Sequence, residues 1–323
     1  MPAIRKLALA LVAVIALAAV PLVVHNHFLL HLSIMVLLYA LLGMSWNLLG
    51  GYTGQISFGH AAFFGTGAYT STILLLRFGI SPWLGMFVGA VLAVLLSLPL
   101  GWLTFRLRGP YFALATLAFA EVVRVIVFNW DWLTGGGDGL NILTDLGGIV
   151  RFYYIILALT VAGVLVLRGF IRSRWGYFLN AIREDEDAAE ALGVPATRIK
   201  VIVLAVSAFF VALGGSFFAS YQLYINPDLV YESQISIQMI VVCIVGGIGT
   251  LEGPIVGALV LVPLSEYFRG LSPVANPLIY GLFIVIFMLF LPEGIVSRVR
   301  RLIGPTVPIR LATEAQRHGE KRA

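Results

Sequence analysis

The chain has 323 residues, 60% of them hydrophobic and 11% charged, with a mean hydropathy of +0.97. Soluble domains carry about 25% charged residues, so the composition excludes a water-soluble globular enzyme and points to lipid as the solvent. The net charge of +5 reads as arginine flanking membrane spans, not as a nucleic-acid surface, and the lone Cys243 excludes an internal disulfide and a cysteine metal site.

In hydrocarbon every backbone polar group must be paired internally, which leaves helices or closed barrels. Barrel strands alternate apolar and polar residues, whereas the apolar runs here are long and continuous. The expected fold is therefore all-α: a polytopic helical membrane protein. A span needs about 20 apolar residues. In chain order the pattern predicts spans over Leu7–Val24, Leu29–Leu49, Phe58–Leu76, Trp83–Phe105 and Tyr111–Phe128. Five more are predicted over Phe152–Ile171, Val201–Tyr224, Ser233–Val245, Ile255–Phe268 and Leu278–Leu291. The third is Gly-rich and the eighth and ninth are short, so ten crossings are expected and eight or nine remain open. Leu7–Val24, behind Arg5 and Lys6, shares features with a signal peptide, but its length favours a retained span. The tail, residues 305–323, is polar and Pro-interrupted and is expected to be disordered, leaving residues 1–304 as one membrane domain.

With the N-terminus inside and sides alternating, the inner flanks collect Arg5, Lys6, Arg106, Arg108, Arg168, Arg172, Arg174, Arg183, Arg198, Lys200, Arg298, Arg300 and Arg301. The outer flanks hold Arg77, Arg151 and Arg269. This bias obeys the positive-inside rule and assigns both termini to the cytoplasm.

One inner loop stands out. Residues 172–200 are longer than a connection between two spans requires. Five of the chain's sixteen acidic residues fall between Glu184 and Glu190. A helix over Tyr177–Leu192 would put Phe178, Ala181, Ile182, Ala189 and Leu192 on one face, interrupted by Asp185, with Arg183, Asp187 and Glu190 opposite. Gly193 suits a left-handed helix end, and Pro195 forbids continuation.

Other polar residues are sparse. Gln55, Ser57 and His60 cluster at the start of the third span. Glu121 and Arg124, three residues apart on the fifth, can neutralise each other. These five are the candidates for a translocation path, set against ordinary bundle packing. Two glycine clusters, GGYTGQ (Gly50–Gln55) and GGIGTLEG (Gly246–Gly253), suggest an internal repeat of the kind transporters use. Gly85/Gly89 and Gly253/Gly257 have the spacing for close helix contact. Thr134–Gly139 (TGGGDG) superficially suggests a channel filter but reads better as a Gly-rich turn. No phosphate-cradling G-x-x-x-x-G-K-[ST] occurs, because none of Lys6, Lys200 and Lys321 follows a glycine. Any ATP-driven step therefore needs a motor on another polypeptide. The sparse ionisable residues argue against proton coupling.

Asp187–Gly193 (D-A-A-x-x-x-G) resembles the E-A-A-x-x-x-G coupling loop of bacterial ABC importer permeases, with Asp for the leading Glu and without the downstream I-x-L-P. The segments at Gly50–Tyr69, Leu107–Phe119, Thr134–Leu140, Ala181–Gly193 and Ile244–Ala258 look, in order, like permease subunits of branched-chain amino-acid ABC importers, of the LivM type. The resemblance implies an inner-membrane, non-enzymatic permease with no catalytic residues, no metal and no cofactor of its own, ATP being bound by partners. It implies a second homologous permease subunit, two cytoplasmic ATP-binding subunits and a periplasmic solute-binding protein, and no nucleic acid. Arg183, Glu184, Asp187, Ala188, Ala189, Glu190 and Gly193 are then expected to couple to the ATPase. Trp132, Asp138 and Asp145 in the outer loop Asn129–Arg151 are expected to receive the binding protein. Leucine, isoleucine or valine is the implied cargo, with urea, short amides or another small amino-acid-like solute as the alternative. A channel, or a scaffold recruiting a cytoplasmic partner, is the alternative of another class.

Overall fold

The computed structural model describes residues 2–144, 146–271, 281–282, 285, 287, 289–290 and 294–303. The expected span Leu278–Leu291 lies mostly outside them, as do Asp145 and the tail 305–323. The long helices are α1 (Pro2–Val23), α2 (His27–Gly50), α3 (His60–Phe78), α4 (Pro82–Thr104) and α5 (Pro110–Phe128). A one-turn α6 (Asp131–Thr134) and strand β1 (Leu140–Asn141) precede α7 (Ile149–Arg172), α8 (Arg174–Glu184) and α9 (Glu186–Ala191). Then come α10 (Ala196–Gln222), β2 (Tyr224–Ile225), α11 (Pro227–Val230), α12 (Ser233–Gly246), α13 (Gly253–Leu271) and α14 (Ile295–Ile303). The protein is thus mostly helical. Among the described residues, α2, α4, α5, α7, α10 and the stretch Pro227–Gly246 are long and apolar enough to cross a bilayer.

Local chemistry sets the helix ends. The Asn26 side chain accepts from Phe28 N at 2.8 Å to start α2. Pro82 and Pro110 open α4 and α5, where a missing N–H costs nothing. α10 ends on Leu223, a left-handed non-glycine residue (φ 58°). That conformation is over-determined from outside: Leu223 O accepts from Ile142 N at 2.8 Å, beside the antiparallel pairing of Leu140 with Ile225 and Asn141 with Tyr224.

α10 runs through the centre, packed by α2, α3 and α4; α2 in turn packs α7, α12 and α13. Small residues let the backbones touch. A Cβ on Gly67 would lie 2.1 Å from Ala212 O, and one on Gly257 2.0 Å from Val242 O. The G-x-x-x-G readings hold in this sense: Gly85 and Gly89 lie against α3, and Gly253 and Gly257 against the Gly246–Gly247 and Val242 backbone.

The loops sort to two ends, as the alternating pattern predicts. Arg108, α8, α9 and both glycine clusters meet at one, here the lever end. Arg77, Trp132, Asp138 and the β1–β2 pair meet at the other, the strand end. One expectation fails. The helix predicted over Tyr177–Leu192 is two helices, broken at Asp185, which is extended (φ −157°, ψ 111°) and caps α9 by accepting from Ala188 N at 3.0 Å. An aspartate at this position gains more as an N-cap than as a helix-interior residue.

Candidate functional site

At the lever end, Ser173 starts α8 by accepting from Trp175 N at 3.3 Å. α8 then lays Gly176, Leu179 and Ile182 into the bundle. The break at Asp185 shifts the helical phase of α9 relative to α8. Ala189 alone of α9 is buried, and Leu192, expected on the inward stripe, is 87% exposed. Tyr177 is 78% exposed, so two large apolar side chains stand out from this polar end. The turn after α9 matches expectation. Gly193 sits at φ +86°, with Val194 N bonded to Ala189 O (3.0 Å) and Gly193 N to Glu190 O (2.9 Å).

Two ion pairs fix this lever. Arg108 grips Asp187 bidentately, at 2.9 and 2.5 Å. The hydrogen bond from Arg108, and then its charge, hold the Asp187 carboxyl below its ordinary value. Lys200, only 2% exposed, donates to Glu186 at 2.6 Å and sits 5.2 Å over the Phe105 ring. The sequence shows Lys200 only as a flanking charge; its pairing depends on α9 folding back over the start of α10.

Arg183 crosses a junction the sequence hints at. The two glycine clusters are neighbours: a Cβ on Gly51 would lie 2.6 Å from Gly249 N. Buried Asn47 staples them, its Nδ2 donating to Thr250 O (2.7 Å) and its Oδ1 accepting from Gly249 N (2.9 Å). The Arg183 side chain lies over both, close to the Cβ positions of Gly54 and Gly249. Glu184, Ala188 and Glu190 face solvent. Asn47 went unmarked in the sequence because it sits inside an apolar helix.

The five path candidates do not converge. Ser57 and His60 belong to one buried network: Trp46 Nε1 donates to Ser57 O at 2.8 Å, and His60 Nε2 lies 2.9 Å from Ser207 Oγ. Ser207 spends its proton on Ser45 O (2.6 Å), so His60 must donate from Nε2. Gln55 is half-buried nearby in sequence. Glu121 and Arg124 pair as expected, at 2.5 Å, but on the exposed side of α5, where Arg124 also reaches Asp228 at 2.5 Å.

At the strand end the 129–151 loop is built rather than slack. Thr134 Oγ1 lies against the carbonyls of Val127 at the end of α5 and Trp130 in the loop, and Gly135, Gly136 and Gly139 take positive φ, so TGGGDG is a Gly-rich turn. Trp132 is 68% exposed; Arg77 stacks on its ring and donates to its carbonyl. Asp138 is exposed, and its carbonyl accepts from Tyr224 Oη at 3.2 Å. Asp145 lies outside the described residues.

Several long apolar helices packed through glycines, with the polar loops gathered at two ends, define a multi-pass membrane protein. The chain belongs to the family described as branched-chain amino acid transport system / permease component, whose model matches residues 28–291. It is 28% identical over 299 residues to the high-affinity branched-chain amino acid transport system permease protein LivM of Salmonella typhimurium, covering 83% of this chain and 70% of that one. It is 24% identical over 289 residues to the permease protein LivH of the same organism, covering 80% and 91%. The autoinducer 2 import system permease protein LsrC of Klebsiella pneumoniae is 28% identical over 176 residues, 51% of this chain and 49% of that one.

Proposed function

We propose that this chain is one permease subunit of an ATP-driven importer of branched-chain amino acids, held in the inner membrane by ten helices with both termini in the cytoplasm. The supporting observation is the lever: α8 and α9 are clamped to Phe105, Arg108 and Lys200, lie across both glycine turns through Arg183, and hold Tyr177 and Leu192 out into solvent. A chain without a phosphate loop receives work through such a projection. Two cytoplasmic ATP-binding subunits supply it, a second homologous permease completes the path, and a periplasmic binding protein delivers cargo near Trp132 and Asp138. This chain carries no cofactor and performs no covalent chemistry. Force on the lever divides, through Arg183 to α2, α12 and α13, and through Lys200 to α10.

The test is site-specific photo-cross-linking in native membranes from positions 177 and 192. Capture of a nucleotide-hydrolysing polypeptide from both is expected; capture of none removes the reading. In the reconstituted complex, Arg183→Glu is expected to leave ATP hydrolysis running while uptake falls at least about tenfold.

A further inference from the structure

α14 has the sequence IVSRVRRLI and is sharply two-sided. Helical spacing puts Ile295, Val296, Val299, Leu302 and Ile303 within an arc of about 120° and leaves the rest of the circle to Ser297 and the arginines at 298, 300 and 301. No acidic residue within it offsets those three positive charges. Its nine residues fall far short of the roughly 20 that a span needs. A short, basic, amphipathic helix of this kind lies along a membrane surface, not across the bilayer.

The root of α14 is fixed. Gly294 takes φ +77° and lies so close to the end of α12 that a Cβ on it would meet Gly247 Cα at 2.6 Å and Ile244 O at 2.7 Å. Ile295 packs against the buried core. The helix therefore leaves the bundle at the lever end, beside the glycine turn that Asn47 staples. Beyond this root the apolar side is incompletely covered: Val299, one turn on from Ile295, is 44% exposed. Arg298 is exposed and gives one N–H to Phe290 O at 3.2 Å, which leaves its other donors for a ligand. Arg301 already has a partner within the chain and is assigned no headgroup.

We propose that α14 lies in the headgroup layer at the lever end and binds anionic phospholipid, with Arg298 and Arg300 on the phosphates and Val299 at the acyl boundary between them. A guanidinium suits phosphate because it donates in a fork from a weakly hydrated cation. An anionic leaflet adds a negative surface potential that a zwitterionic one lacks. A partner protein fits less well: among the described side chains the exposed apolar surface here is one valine, whereas the lever offers Tyr177 and Leu192. Bound in this way, α14 ties the glycine turn under Arg183 to the bilayer surface. The proposal depends neither on the cargo nor on an ATPase.

The experiment uses the purified full chain in nanodiscs, in a Cys243→Ser background that keeps a donor to Gly43 O. A fluorophore is placed at Val299→Cys. The discs hold equal amounts of phosphatidylcholine and phosphatidylglycerol, with bromine on the acyl chains of one lipid or the other. With the arginines in place, brominated phosphatidylglycerol is expected to quench the label about twofold or more above brominated phosphatidylcholine. A label at Val88→Cys, on the exposed side of α4, is expected to be quenched equally by both. Arg298→Gln/Arg300→Gln is expected to remove the preference at position 299, and Arg298→Lys/Arg300→Lys to keep most of it, both with a monodisperse peak. Equal quenching by the two lipids with the arginines in place, or a preference unchanged in the glutamine pair, overturns the proposal. Quenching by neither lipid also overturns it, and shielding of the label only on addition of the ATPase subunits would assign α14 to a protein contact instead. The lone chain is measured, so failed ATP-driven uptake would reject the importer reading and leave this result standing.

Discussion

At the residue scale, Lys200 and Asp187 carry opposite lessons about charge. Lys200 is buried, so its ammonium depends on Glu186. Glu186→Gln would leave a buried charge without its counter-ion and is expected to cost about 3 kcal/mol or more, read as a lowered melting midpoint. Lys200→Met with Glu186→Gln is expected to recover most of that loss, because the alkyl chain still covers Phe105. Asp187 is a surface residue, and its pair with Arg108 adds little stability. Its carboxyl is held low in the folded state, so the contact is complete above the ordinary aspartate range and is lost only as pH falls through the lowered value. A carboxyl ¹³C titration should therefore place Asp187 below a free aspartate, and Arg108→Gln should move it back up. His60 belongs at this scale too. The hydrogen-bond chain from its Nε2 through Ser207 to Ser45 O makes the ring part of the packing between α2, α3 and α10.

At the element scale, the break between α8 and α9 is the decisive event. Without it Leu192 would share the face of Ile182 and pack inward; with it Leu192 stands in solvent. Asp185→Ala removes the cap on Ala188 N and is expected to cost about 1 kcal/mol of local stability. The sharper readout is accessibility. Cysteine labelling at position 192 should slow in the Asp185→Ala background if the two helices fuse and turn Leu192 inward. Labelling at the wild-type rate would show that the geometry of the lever does not depend on this cap. Gly193→Ala meets no neighbour within 4 Å, so its cost, about 1 kcal/mol, is backbone strain at φ +86° alone.

At the scale of the whole molecule, α10 organises the bundle because glycine removes the side chains that would hold α3 away. Gly67→Val would drive a β-branched side chain into the Ala212 carbonyl. The expected result is failure to assemble in the membrane, with loss of a monodisperse peak in detergent. Gly79→Ala, where φ is +65° but no atom lies within 4 Å, is expected to assemble normally with only a small loss of melting temperature. The pair separates packing from backbone strain. The staple at Asn47 works over a long sequence distance: Asn47→Ala unpairs Gly249 N and Thr250 O, both half-buried, at about 0.5–1.5 kcal/mol for each hydrogen bond lost.

The amino-acid order by itself determines that this chain lives in lipid, that it is helical, which loops share an end, and that residues 172–200 form an unusually long and charged connection. Each comes from one-dimensional quantities: run length, charge bias and loop length. The close-packing glycines at Gly85, Gly89, Gly253 and Gly257 are legible for the same reason, since their spacing is helical. Only the tertiary structure decided the pairings between distant segments: Asn47 with Gly249, Arg183 over both glycine turns, and Arg108 with Asp187. An apolar bundle offers many equivalent hydrophobic faces, so hydropathy cannot say which helix meets which. That choice is made by close backbone contact at small residues and by the few polar groups that find a partner only after the helices are in place.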